Sequence, residues 1–137
     1  MTGFSSLRTR HMIILCPLVL SACAGGSFES FFRPAKIHWN DTSWCTPLEL
    51  KVALTKIAKR FGPVRVHSTY RNPWENKRKG GKKRSFHLTC RAVDFSVRGG
   101  NPGEIKQALR GMWEVGGYSY YPRGNFFHID NGPRRTW

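Results

Sequence analysis

"RSFHLTCRAVDF", Arg84 to Phe95, places a histidine, His87, a short way before an aspartate, Asp94. The aspartate stands inside "RAVDFSV", an apolar run that reads as a strand. On a strand, alternate side chains share a face. Ala92, Asp94 and Ser96 then lie on one side, and Val93, Phe95 and Val97 on the other. The pattern predicts a buried strand that carries a carboxylate. Burying a polar group without a partner costs on the order of several kcal/mol. Asp94 therefore needs a salt bridge, a hydrogen-bond network or a metal ion.

Outward from this stretch, the chain alternates between the two periods of regular structure. "VRVHS", Val64 to Ser68, alternates as a strand does. "VGGYSYY" and "NFFHID" read as two final strands joined by "PRG". "TPLELKVALTKIAKRFG" has the clearest helical spacing, with Leu50, Leu54, Ile57, Ala58 and Phe61 on one face. Thr46 is the expected N-cap, Pro47 suits the first helical position, and Glu49 completes a capping box. Gly62 and Pro63 end the helix. "RGGNPG" reads as a loop, and "GEIKQALRGMWE" as a second helix with Ile105, Leu109, Met112 and Trp113 on its apolar side. "AGGSFESFFRPAKIHWNDTSW", Ala24 to Trp44, shows neither period and reads as a tether followed by an irregular segment. No internal repeat is visible. The order of elements predicts an α+β domain, a small antiparallel sheet with flanking helices.

The chain has 137 residues, enough for one domain, and a formal net charge of +15. Such a charge attracts anionic partners: nucleic acid, a membrane surface or an acidic polymer. The densest basic run, "NKRKGGKKR", Asn76 to Arg84, has the composition of a solvated loop. No helix-turn-helix, zinc-finger or RNP-like pattern accompanies it, which argues against nucleic acid.

At the N-terminus, a basic stretch precedes "MIILCPLVLSA", an apolar run too short for a span of about 20 residues. This is a secretion pattern. "LSAC", Leu20 to Cys23, resembles a bacterial lipobox. The expected organisation is a lipoprotein-type signal peptide over 1–22, acylation at Cys23, a tether over 23–44 and a domain over 45–137. A plain signal peptide cut near Ala22 or Ala24 is the alternative. Acylation would anchor the chain to a membrane. Cys16 would be discarded with the leader. Cys45 and Cys90 remain, and an exported chain meets an oxidising compartment, where they could pair.

"NFFHID" repeats the oddity of the opening stretch: His128 and Asp130 face the same way on a strand. His87, Asp94, His128 and Asp130 are thus all within or beside strands. Zinc accepts imidazole nitrogen and carboxylate oxygen, and a catalytic site keeps a position for water. Two histidines and one carboxylate make such an open site. They leave the metal a net positive charge, which can bring bound water to a pKa of about 7. Each histidine taken singly could equally be structural. His67 is read so, and His11 and His38 stand in no motif.

Three separated motifs, "STYRNPWEN", "SFHLTCRAVDF" and "GGYSYYPRGNFFHIDNGPRRTW", resemble the M15 group of zinc peptidases. The likeness is to the murein-endopeptidase-like branch, also known as DUF882, related to D-alanyl-D-alanine carboxypeptidases and to the hedgehog fold. It runs from about Val64 to Trp137. The resemblance implies one zinc ion held by His87, Asp94 and His128. It assigns Arg71 to the substrate or the developing oxyanion, a role that suits a cationic donor. A salt bridge from Arg71 to Glu75 or Asp130 is the structural alternative. Ser85 matches a serine that hydrogen-bonds substrate.

Two departures stand out. The family usually has glycine at Cys90, which points to a backbone with positive φ or to close packing; a disulfide to Cys45 would be another solution. Several branches carry an acidic base where this chain has Asn125. Asp130 is then either the general base or a carboxylate that orients His128. Glu114 is a weaker candidate for the base.

The resemblance implies hydrolysis of D,D or L,D bonds in peptidoglycan stem peptides or cross-links. The expected partners are peptidoglycan and, through the lipid, a membrane, with the protein a monomer in the periplasmic cell envelope and no nucleic acid bound. The alternative is a non-catalytic envelope-binding protein with a structural zinc.

Overall fold

The computed structural model describes residues 34–137. The signal peptide, Cys16, Cys23 and His11 lie outside the described residues.

The fold is α+β. Strands β1 (Ile37–Trp39), β2 (Val64–Ser68), β3 (Ala92–Val97), β4 (Gly117–Tyr121), β5 (Phe126–Asp130) and β6 (Arg135–Thr136) form one sheet. Their order is β1-β2-β3-β5-β4-β6. The four central strands pair antiparallel, as the sequence predicts, but both edge strands, β1 and β6, run parallel to their neighbours. β1 lies within the segment read as irregular. Three residues are too few to show a period, and the partner of this strand is far along the chain.

Helices α1 (Leu48–Phe61) and α3 (Pro102–Gly111) bring Leu50, Leu54, Ile57, Ile105 and Leu109 into the core with Val66, Val93, Phe95 and Ile129. Burying a leucine, isoleucine or phenylalanine side chain contributes about 1.5–3 kcal/mol. The core thus fixes the sheet with one face against the helices.

Three helix boundaries differ from the expectation. Pro47, not Thr46, is the N-cap of α1, and no side chain caps it. The capping box does not form, and the buried Thr46 hydroxyl has no partner among the described residues. α3 starts one residue early because the Asn101 side chain accepts hydrogen bonds from the backbone N–H groups of Gly103 and Glu104, at 2.8 and 3.3 Å. It ends at Gly111, so Trp113 leaves the apolar face and is 76% exposed. A further helix, α2 (Pro73–Arg78), occupies the start of the basic run, with Asn72 accepting from Glu75 N–H at 2.8 Å.

Candidate active site

The register of the sheet builds the site. Asp94 on β3 is paired directly with His128 on β5, and Ala92 with Asp130. Directly opposed side chains in an antiparallel pair stand on the same face, about 4.5–5.5 Å apart at Cβ. Asp94 and His128 therefore project together from the sheet face opposite the helices. On the other side, β2 shifts register between Val66 and Ser68, which sets Ser68 against Asp94. A bulge re-aims a side chain in this way: the Ser68 hydroxyl accepts from Arg71 Nε at 2.8 Å.

His87 comes from a 3-10 turn, Phe86–Thr89. The Ser85 hydroxyl oxygen caps it, accepting from His87 N–H at 3.3 Å. Cys90 closes the turn in the left-handed region at φ 56° and is joined to Cys45 by a disulfide, with Cα atoms 5.9 Å apart. The backbone thus adopts the conformation that glycine would take most easily, and the cross-link holds a cysteine there.

The buried side chain of His87 is oriented from behind. Its Nδ1 donates to the Thr69 carbonyl at 2.6 Å. Thr69 is itself pinned: Asp41 accepts from its N–H at 2.8 Å, and the Thr42 carbonyl accepts from its hydroxyl at 2.7 Å. These supports come from the segment read as irregular.

His128 is fixed in the same manner. Its Nε2 lies 3.2 Å from Asp130 Oδ2, and a carboxylate accepts, so Nε2 donates. Asp130 is fully buried. It also accepts from Gly132 N–H at 2.8 Å, Gly117 N–H at 3.2 Å and Arg135, whose Nη2 lies 2.7 Å away. The close approach at Gly117 needs glycine, because a Cβ there would stand 2.5 Å from Asp130 Oδ2.

Each imidazole, its outer nitrogen donating, therefore turns its second ring nitrogen inward. His87 Nε2 lies 3.2 Å from His128 Nδ1, and Asp94 Oδ1 lies 3.1 and 2.8 Å from these two nitrogens. With no proton on these two nitrogens, three acceptors converge, and a cation satisfies them. Zinc bonds of about 2.0–2.1 Å in a tetrahedron set ligand atoms about 3.3–3.4 Å apart. The observed separations, 2.8 to 3.2 Å, are somewhat shorter than that spacing, and His87, Asp94 and His128 could hold a metal ion.

The electrostatics agree. Burial pushes the Asp94 carboxyl up, but hydrogen bonds from His128 and His87 and their charge outweigh it and hold the group well below the usual carboxylate range. Burial lowers His128, yet the bonds to Asp130 and Asp94 and their charges raise it overall. The pocket that favours a proton on His128 favours a metal cation for the same reason.

Arg71 contacts the second oxygen of Asp94 through Nη2. The salt bridge it makes is thus to Asp94 and to neither alternative read from the sequence. No bond of its Nη1 is found among the described residues. Arg71, Ser85, His87, Asp94 and His128 line one cleft of about 720 Å³, walled also by Tyr121, Phe126 and Trp137.

Neither Asp130, Glu114 nor Asn125 lines that cleft. Glu114 is buried away from it and paired with Lys56. Asn125 is a turn residue at φ 47°, a conformation asparagine tolerates well. His67 is exposed and stands 2.8 Å from the Ser96 hydroxyl, outside the cleft. Thr69, Asp41 and Arg135 are supports that sequence reading misses. Only the asparagine–proline and aspartate–threonine dipeptides nearby hint at turns there.

The fold and donor set define a class, an α+β domain with a histidine–aspartate–histidine site at the floor of a basic cleft. Residues 28–130 match the family model described as Peptidase M15, and the chain belongs to that family. Over 80 residues it is 40% identical to peptidoglycan L,D-endopeptidase MepK of Escherichia coli (strain K12), covering 55% of this chain and 43% of that protein. Over 88 residues it is 33% identical to the probable peptidoglycan L,D-endopeptidase MepK of Haemophilus influenzae (strain ATCC 51907 / DSM 11121 / KW20 / Rd), covering 61% and 47% respectively. The aligned part spans less than half the length of these curated relatives.

Proposed function

We propose that this chain is a zinc-dependent peptidase that hydrolyses peptide bonds in peptidoglycan stem peptides or cross-links, with L,D bonds as the class cut. The observation that carries the reading is the convergence of His87 Nε2, Asp94 Oδ1 and His128 Nδ1 at the floor of an open cleft. Family membership and the names of the relatives point to the substrate.

Zinc bound in such a site supplies Lewis acidity toward a carbonyl and lowers the pKa of water. The chain's own residues do the rest. Thr69 and Asp130 hold the two imidazoles in the tautomers that turn Nε2 of His87 and Nδ1 of His128 inward. Arg71 fixes Asp94 and has Nη1 left to donate to the oxygen on which charge develops. The Ser85 hydroxyl proton remains free to donate to substrate, because its oxygen is the acceptor for His87 N–H. Asp130 acts as the orienting carboxylate rather than as the base, since its oxygens are occupied by donors and it is out of the cleft.

A second reading, an envelope-binding protein that keeps its zinc without catalysis, is favoured by one observation. Among the described residues, Asp94 supplies the sole carboxylate side chain lining the cleft. Digestion of purified peptidoglycan with zinc-loaded protein, with and without chelator, separates the two. New amine- and carboxylate-ended fragments by mass, abolished by chelator, support the peptidase. No cleavage at any zinc level supports the binder.

The lipobox-like "LSAC" supports placement in the periplasmic cell envelope with a lipid anchor at Cys23. Substituting Cys23→Ser should move the protein from the membrane to the soluble fraction; unchanged fractionation would remove the anchor from the account.

A further inference from the structure

We propose that Lys82 and Arg84, on the lip of the cleft, form a subsite for a free carboxylate of the peptide substrate. This rests on the peptidase reading and deepens it.

Five cationic side chains line the cleft, Arg71, Lys79, Lys82, Arg84 and Arg135, against one carboxylate side chain among the described residues, that of Asp94. Three of the five are engaged: Arg71 with Asp94, Lys79 with Glu75 at 2.8 Å, and Arg135 with Asp130 at 2.7 Å. Among the described residues, Lys82 has only the face of Trp137, 5.8 Å from its Nζ. Arg84 has no carboxylate partner among the described residues. Two uncompensated cations therefore face a cleft whose floor is the donor set.

The segment that carries them is built, not a bare run of charge. Asn76 is buried, and its side-chain amide donates to the Lys82 carbonyl at 2.9 Å. Gly81 N–H donates to the Asn76 carbonyl at 2.8 Å, and Ser85 N–H to the Lys82 carbonyl at 3.0 Å. A Cβ at Gly81 would strike the Asn76 side chain at 2.0 Å. Asn76 thus ties the Lys82 backbone to α2, while Ser85 ties it to the turn that carries His87. An ammonium and a guanidinium presented together on a fixed backbone suit a carboxylate, which takes charge-assisted bonds from both.

The test uses zinc-loaded protein and two probes: a purified muropeptide with its free carboxylates, and the same muropeptide converted chemically to amides. Binding is measured by calorimetry at low and high salt, and cleavage by mass. Wild type should bind the acid form about 10- to 100-fold more tightly than the amide, with the difference shrinking in salt. The variant Lys82→Gln/Arg84→Gln should lose that preference, with KM for the acid form raised far more than kcat is lowered. A charge-matched control on the outer face of α3, Lys106→Gln/Arg110→Gln, should keep the preference. Equal binding of the two probes by wild type, or retained preference in the Lys82/Arg84 variant, overturns the subsite. Because binding is read separately, preference for the acid form without cleavage would leave the subsite standing and remove the peptidase reading instead.

Discussion

His87 Nε2 and His128 Nδ1 face one another at 3.2 Å, each the nitrogen opposite one that donates a hydrogen bond on the far side of its ring. Two lone pairs and the Asp94 oxygen at this range repel unless a proton or a metal stands among them.

Asp130 sets the tautomer of His128. Substituting Asp130→Asn should weaken zinc affinity by roughly 10- to 100-fold, as loss of such a supporting partner does elsewhere. Excess zinc should restore most of the cleavage. Competition with a chelating dye measures the affinity. Unchanged affinity with turnover reduced by about 10²- to 10⁴-fold would return Asp130 to the role of general base.

Arg71 is expected to act in the reaction as well as on Asp94. Its replacement, Arg71→Ala, should lower kcat by about 10²- to 10³-fold, the usual cost of losing one oxyanion donor. Arg71→Lys should recover little, because an ammonium cannot serve Ser68 and Asp94 together with the fork of a guanidinium. Steady-state kinetics at saturating zinc decides this, and full activity of Arg71→Lys would contradict it.

The Cys45–Cys90 bridge spans 45 residues of sequence. Chain-entropy reasoning gives it about 4 kcal/mol. Without the bridge, Cys90 still occupies the left-handed region, which costs a non-glycine residue roughly 1–2 kcal/mol. The variant Cys45→Ser/Cys90→Gly should therefore melt above Cys45→Ser/Cys90→Ser, and both below wild type. Thermal unfolding followed by circular dichroism gives the order. The reverse order of the two variants would show that the turn does not need positive φ.

Glu114 should contribute a pH-dependent share of stability. Burial raises its carboxyl, but the Lys56 contact and a backbone hydrogen bond lower it overall. A depressed folded pKa gives stability that is present above the unfolded value, about 4.3, and lost as pH falls through the folded one. Wild type should exceed Glu114→Gln in stability near neutrality, and the gap should close on acidification below pH ~4. Urea midpoints across that range measure it; a gap independent of pH would exclude the charge as its source.

Strand alternation made Asp94 and His128 legible as polar groups in runs whose neighbours must face the core, but the set of three, with His87 on a 3-10 turn, was legible only through the family resemblance. The α1 face was legible for the same reason, through the spacing of Leu50, Leu54 and Ile57. Register was not. Nothing local reports that Asp94 opposes His128, or that a bulge sets Ser68 beside them. The supports of His87 were hidden too, since Asp41 and Thr69 meet only through the path of the chain before α1. Asp130 illustrates the limit of a shared face: it points the same way as His128, yet Arg135 and two backbone N–H groups occupy it.

The central claim is that His87, Asp94 and His128 hold one catalytic zinc. Elemental analysis of purified protein, after equilibration with zinc and removal of excess, tests it most directly, run beside His87→Ala. The account predicts close to one zinc per chain in wild type and far below that in the variant. Wild type that takes up no zinc, or His87→Ala that holds it as tightly, would contradict it.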